Sequence, residues 1–262
     1  MNNRFVQKIL LTTLGNEKYL SLVSNVFLKM YHLGMTKEKY PEMNLLNRFV
    51  SEGYTCIDIG ANIGYYSVPL AELVGRSGKV FAVEPIEIFR NVLKNNLKRY
   101  KVHNNVEIVP FALGNTDDEE LEMGTPEVNG LVHFGYTKIL SSEEYKLRET
   151  YKVKIHRPQT IFKDLSTLHF IKCDVEGYEG IVITEFYDLI KKFKPTLQIE
   201  ICPVRNREML IDLLKPLGYS VYYYLNDKFF ELKKVEDNTK KSCDVYFFQD
   251  TIINSLTDLI QK

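Results

Sequence analysis

Asp174, Glu176 and Glu179 fall within six residues in the stretch KCDVEGYE. Clustered carboxyl groups suit proton chemistry, because mutual repulsion raises the pKa of one member towards neutrality and lets it take a proton from a hydroxyl. They also suit Mg2+, a hard cation that prefers carboxylate oxygen. Asp174 closes the apolar run LHFIKCD, and Glu200 lies near the end of another, TLQIEIC. An acid ending an apolar strand has little structural use, so Asp174 and Glu200 are the leading candidates, as proton acceptors or as ligands of a metal, with Glu176 beside them. Glu179 would enter the first turn of a helix, where an acid commonly serves as cap or dipole partner. Histidine is the rival base. His133 and His156 fall in or just after a polar stretch, whereas His103 and His169 look peripheral.

A second constellation is CIDIGANIGYY, Cys56 to Tyr66. Gly60 and Gly64 allow a sharp turn from strand to helix and, lacking Cβ atoms, let a ligand approach the backbone. Glu84 follows Gly64 by twenty residues at the end of KVFAVEP, where a carboxylate can accept hydrogen bonds from both hydroxyls of a ribose. The pair points to a nucleoside. A dinucleotide fingerprint needs G-x-G-x-x-G to cradle a pyrophosphate. Here the run is Gly60-Ala61-Asn62-Ile63-Gly64, without the middle glycine, and Asp58 would repel phosphate while welcoming a cation. S-adenosylmethionine carries an ammonium, a sulfonium and no phosphate. The alternatives are a nicotinamide-dependent oxidoreductase, disfavoured by the missing glycine and by DVEGYE, and a catalytically silent nucleoside binder, which needs no acid cluster.

The elements that would position these groups alternate in type. YTCIDIG, KVFAVEP, VEIVPFAL, LHFIKCD and TLQIEIC are short and β-rich, and amphipathic segments separate them at about 63–75, 87–101, 177–191 and 207–217. Apolar strands alternating with helices predict a doubly wound α/β fold with a parallel sheet covered on both faces. YSVYYYL and CDVYFFQ are joined by the polar stretch Asn226 to Ser242, too short for a typical crossover helix. They are expected to form an antiparallel pair closing one edge. The one long excursion is Asn115 to Lys154. Its Asn129-Gly130 turn and the aromatics Phe134 and Tyr136 could cover an acceptor or pin the loop to the domain.

With 262 residues, 45% of them hydrophobic, the chain can bury a full core. Lysine plus arginine balances aspartate plus glutamate at 34 each, so no global field would gather a nucleic acid. The cysteines, Cys56, Cys173, Cys202 and Cys243, are isolated and read as reduced thiols of a cytoplasmic protein. Residues 1–50 carry apolar positions at helical spacing, interrupted by Lys8, by Gly15 to Lys18 and by Lys29, too soon for a signal segment or a membrane span. They are expected to form one or two amphipathic helices ahead of a domain spanning 51–262. Peripheral membrane contact through them is a secondary expectation.

DIGANIGYYS, VFAVEP, ALGN, FIKCDVEGYE and KPTLQIEI, in that order, resemble the FkbM-type family of S-adenosylmethionine-dependent methyltransferases, which mostly methylate hydroxyl groups. The resemblance implies a Rossmann-like class I methyltransferase fold, a seven-stranded, mostly parallel sheet with antiparallel strands at its end. It places Asp58, Gly60, Asn62 and Gly64, with Ala61 and Tyr65, around the methionine part of the cofactor, and Glu84 with Pro85 on its ribose. Ala112 and Leu113 would flank the adenine, Asp174 would border the cofactor, and the acceptor would be a small molecule or carbohydrate. Leu131 and Val132 depart from the small polar residues that follow the Asn-Gly pair in related enzymes.

Overall fold

The computed structural model describes residues 3–140, 147–201, 205–233 and 244–261. Helix α1 (Asn3–His32) consists of two helical pieces meeting at Gly15, whose φ of 74° and ψ of 169° no helix accommodates. The short helices α2 (Pro41–Asn44) and α3 (Leu46–Phe49) follow. Phe49 is buried among Phe170, Tyr246 and Phe248, which ties the N-terminal segment into the core. Among the described residues no helix is long and apolar enough to cross a membrane.

The central sheet begins with β1 (Thr55–Ile59), α4 (Ser67–Val74), β2 (Lys79–Val83), α5 (Glu87–Arg99) and β3 (Val106–Val109). The predicted third strand is split. Pro110 breaks it, and Ala112–Leu113 forms β4, which pairs with a different sheet. That sheet is built from the polar excursion: β5 (Glu119–Val128), β6 (Leu131–Val132), β7 (Lys138–Ile139) and β8 (Leu147–His156). The long β5–β8 ribbon lacks a continuous apolar run because one face is solvated, so the stretch looks like loop until it is paired. Asn129 and Gly130 turn the chain at φ 52° and 73° between paired Val128 and Leu131, the left-handed backbone a two-residue hairpin requires.

After α6 (Pro158–Ile161) come β9 (Phe170–Cys173), α7 (Glu179–Glu185), α8 (Tyr187–Phe193), β10 (Thr196–Glu200), α9 (Arg205–Leu214), β11 (Ser220–Leu225), β12 (Lys228–Glu231), β13 (Asp244–Phe248) and α10 (Asp250–Ser255). The strand order is β12-β11-β13-β10-β9-β1-β2-β3, with β1, β2, β3, β9 and β10 parallel. β13 runs antiparallel between β10 and β11. The mostly parallel α/β expectation holds, with one correction: the sheet has eight strands. The polar stretch after Leu225 supplies β12 as the true edge, through a turn in which Asn226 and Asp227 both take positive φ. Cys56 and Cys173 are buried and free; Cys202 and Cys243 lie outside the described residues.

Candidate functional site

At the carboxyl ends of β1, β2, β9 and β10 lies a cleft of about 570 Å³. Doubly wound sheets place ligands there because neighbouring connections diverge to opposite faces. The first connection, after β1, shows why its glycines are needed. Gly60 has φ 83°, and a Cβ there would collide with the backbone carbonyl of Asp174. Gly64, at φ 95°, is pressed instead by the Leu93 side chain and does not line the cleft. The space left by the missing side chains is therefore filled by protein, and the glycines bring the β1 and β9 ends together. Asn62, between them, is in the left-handed region at φ 47°.

Glu84 ends β2 and is buried, its two carboxylate oxygens accepting hydrogen bonds from the backbone N–H of Asn62 (2.9 Å) and of Ile86 (2.8 Å). Each oxygen keeps a lone pair for a ligand. Burial raises the Glu84 pKa to about 7, against the lowering effect of those two bonds. Asp58, also buried, takes a 2.5 Å hydrogen bond from the Ser67 hydroxyl, and burial lifts its pKa to about 6. Ala61, Asn62, Tyr65, Pro85, Ala112 and Leu113 also line the cleft.

The acid cluster assembles as the strand-end reasoning expects, with a group that reasoning missed. Asp174, Glu176 and Glu200 all line the cleft. Glu200 stands beside Asp174, and burial followed by the Asp174 charge pushes its pKa to about 8. Glu176 sits at φ 53°, and burial with the neighbouring Asp174 and Glu179 raises its pKa to about 7. Glu179 does not join them. It is buried and accepts hydrogen bonds from the N–H groups of Val175 and Gly177, a loop brace at the start of α7.

Lys172 lies beneath the cluster, 1% exposed, with Nζ 3.6 Å from Asp174 and 3.4 Å from Asp244. Asp244 and Glu42, also unanticipated, line the cleft as well. A lysine inside the wholly apolar run FIKC was the available signal, since a central strand can only bury it and a buried ammonium must be paired.

His133 lines the cleft and stacks on Tyr136 with centroids 5.2 Å apart. His156 does not line it. Its ring is packed edge-on against Phe111, near Asp117 and Asp118. Phe134 is buried against Tyr19 and Phe89 while lining the cleft, so the aromatic loop both pins itself and forms wall. The N-terminal segment adds further lining: Tyr19, Val23 and Phe27 of α1, then Tyr40 and Met43.

The lining carries seven carboxylates, Glu42, Asp58, Glu84, Asp174, Glu176, Glu200 and Asp244, against one lysine and no arginine among the described residues. That donor set disfavours a phosphate and fits a cationic nucleoside. No group of three or more His, Cys, Asp or Glu among the described residues is placed to hold a metal ion. The Mg2+ expectation for Asp174 and Glu200 is therefore unsupported, and the cation beside Asp174 is Lys172.

Residues 58–222 match the family model described as the methyltransferase FkbM domain. A probable cobalt-precorrin-6B C(15)-methyltransferase (decarboxylating) of Sulfurisphaera tokodaii is 29% identical over 158 residues, 60% of this chain and 81% of its own length. A protein-L-isoaspartate O-methyltransferase of Methanococcoides burtonii is 42% identical over 50 residues, 19% of this chain and 25% of its own. Among solved structures, an FkbM methyltransferase of Methylobacillus flagellatus superposes with a TM-score of 0.46 and 19% identity, covering 76% of this chain and 44% of that one. The family match spans the glycine connection, Glu84 and both strand-end acids, and the chain belongs to the FkbM family of S-adenosylmethionine-dependent methyltransferases.

Proposed function

We propose that the protein methylates a hydroxyl group of a sugar, glycan or glycosylated metabolite, with Asp174 receiving the hydroxyl proton. The observation that carries this reading is the pairing of the Asp174 and Glu200 carboxyl groups in one cleft lining, with the buried Lys172 ammonium 3.6 Å from Asp174. Burial and the Asp174 charge raise the Glu200 pKa to about 8, which favours its protonated form at neutral pH.

S-adenosylmethionine supplies a methyl group on a sulfonium; as the acceptor oxygen takes the methyl, the bonding pair returns to sulfur and the hydroxyl proton goes to a carboxylate. The chain's part is to align the acceptor and to hold that proton. Glu84 is positioned to accept from ribose hydroxyls, Ala112 and Leu113 to flank the base, and Gly60, Ala61, Asn62, Tyr65 and Pro85 to border the nucleoside. Gly64 acts through packing. Asp58, already bonded to Ser67, would favour the cationic end by its charge rather than by contact. Tyr19, Phe27, Tyr40 and Phe134 offer rings for the apolar faces of a sugar.

Membership in a methyltransferase family sets the nicotinamide reading aside, and a silent binder would leave the carboxyl pair without a purpose. The cleft's single lysine, already paired, argues against a nucleic-acid acceptor, and the free buried thiols of Cys56 and Cys173 suit a cytoplasmic setting. The test is transfer of a labelled methyl group from S-adenosylmethionine to a panel of sugars and glycolipids, beside amine and carbon acceptors. Label on a sugar oxygen supports the reading. Label confined to nitrogen or carbon acceptors overturns the hydroxyl assignment.

A further inference from the structure

Four residues lie side by side across adjacent strands: Asp58 on β1 faces Lys172 on β9, which faces Gln198 on β10, which faces Tyr246 on β13. All are at most 2% exposed. Asp58 and Lys172 of this row reach the cleft floor, and Asp174, Glu200 and Asp244 stand two residues further on, Asp174 just past the end of β9 and the other two paired across β10 and β13. Residues two apart on a strand point to the same face, so Lys172 reaches upward to Asp174 and across to Asp244. Its ammonium lies 5.2 Å from the Tyr66 ring centroid. The Gln198 side-chain amide donates to Asp244 Oδ1 at 3.2 Å and to the Tyr66 hydroxyl at 3.1 Å, which braces the second carboxylate from below.

We infer that Lys172 is a positioning residue of the methyltransferase: clamped between Asp174 and Asp244, its ammonium fixes the Asp174 carboxylate at the cleft, facing the acceptor hydroxyl. This rests on the hydroxyl-transfer reading above. The groups that face Lys172 are Asp58 from β1, Asp174 and Cys173 from its own strand, Glu200 from β10, Asp244 and Tyr246 from β13, Glu42 from α2, and Tyr66. Glu176 and Arg207 act on the same cluster from further out. Burial alone would depress the Lys172 pKa, but Asp244, Asp174 and Glu200 outweigh it and hold the ammonium well above the ordinary lysine range. The cation is therefore permanent across the working pH. Without it, Asp174 would face Glu200, Asp244 and Asp58 with no counter-charge, and would bind a proton of its own more readily.

The experiment compares Lys172→Met, Lys172→Arg and the charge-balanced double variant Lys172→Met with Asp244→Asn. Carboxyl titrations are followed by carbon NMR of ligand-free, aspartate- and glutamate-labelled protein, with Asp174 identified by the signal that Asp174→Asn removes. Expected is an upward shift of the Asp174 titration by about one pH unit or more in Lys172→Met, reversed in Lys172→Arg. The ascending limb of the methyl-transfer pH profile should move by the same amount, measured on the acceptor the screen identifies. The double variant serves where Lys172→Met fails to fold, and the same upward shift is expected there. A folded variant lacking Lys172 with an unmoved Asp174 titration overturns the inference. Absence of transfer to any hydroxyl would overturn the acceptor reading, and the ligand-free titration would still decide the role of Lys172.

Discussion

Glu84 shows how one side chain couples cofactor affinity to pH. Its carboxylate is pinned by two backbone N–H groups, and burial holds its pKa at about 7. Ribose hydroxyls donate only to the ionised form with full strength. Affinity for S-adenosylmethionine should therefore rise as pH increases through about 7, and Glu84→Gln should flatten that rise. A hydrogen bond to a charged group contributes about 1.5–3 kcal/mol, so Glu84→Gln should weaken binding by about 10–100-fold at alkaline pH. Calorimetric titration across that range checks both, and an unchanged affinity would remove Glu84 from the ribose site. Asp58, Gly60, Glu84, Asp174 and Glu200 were legible in the sequence because each ends or follows an apolar strand, and strand ends converge in this fold. Lys172 was signalled only by its place in an apolar run, and Asp244 not at all, since its meaning depends on β13 lying next to β10, a pairing that no spacing reveals.

At the scale of elements, α1 is held over the cleft by a small clasp. The Gln7 side-chain amide donates to the Val132 carbonyl at 2.9 Å and accepts from the Val132 N–H at 2.9 Å, so one side chain satisfies both backbone groups of Val132 in β6. Gly15 separates this first piece of the helix from the piece that carries Phe27 and Leu28. Gln7→Ala should cost about 1 kcal/mol locally and raise amide exchange at Val132 and across residues 5–14, with the central strands unaffected. Uniform exchange behaviour in both proteins would show that the clasp does not hold the wall. The parallel strands were readable because both of their faces are buried and their sequences are continuous apolar runs. The β5–β8 ribbon was not, because Glu120, Glu122, Lys152 and Lys154 sit on a solvated face, and Pro126 lies at a register shift that masks the strand.

At the scale of the whole molecule, the cleft concentrates acids whose pKa values burial raises: Glu42, Glu84 and Glu176 to about 7, Glu200 to about 8 and Asp58 to about 6. The folded protein thus binds more protons than the unfolded chain from the ordinary carboxyl range up to about pH 8, and its stability falls as pH rises through that window. A loss of about 2 kcal/mol corresponds to a fall of about 4–8 °C in Tm for a chain of this size. Ligand-free protein should melt lower at pH 8 than at pH 5.5, and saturating S-adenosylmethionine should narrow the difference; a Tm that rises with pH would contradict the buried acid cluster. The most direct test of the account is the single-turnover rate of methyl transfer from S-adenosylmethionine in Asp174→Asn and Glu200→Gln, each with cofactor binding measured in parallel. Glu200→Gln keeps a neutral polar side chain where burial favours the protonated carboxyl, so that variant should stay within about 10-fold of the unmodified rate. Asp174→Asn should fall by about 100-fold or more, the usual scale for a positioned base. Full-rate transfer by Asp174→Asn would contradict the account and turn attention to His133.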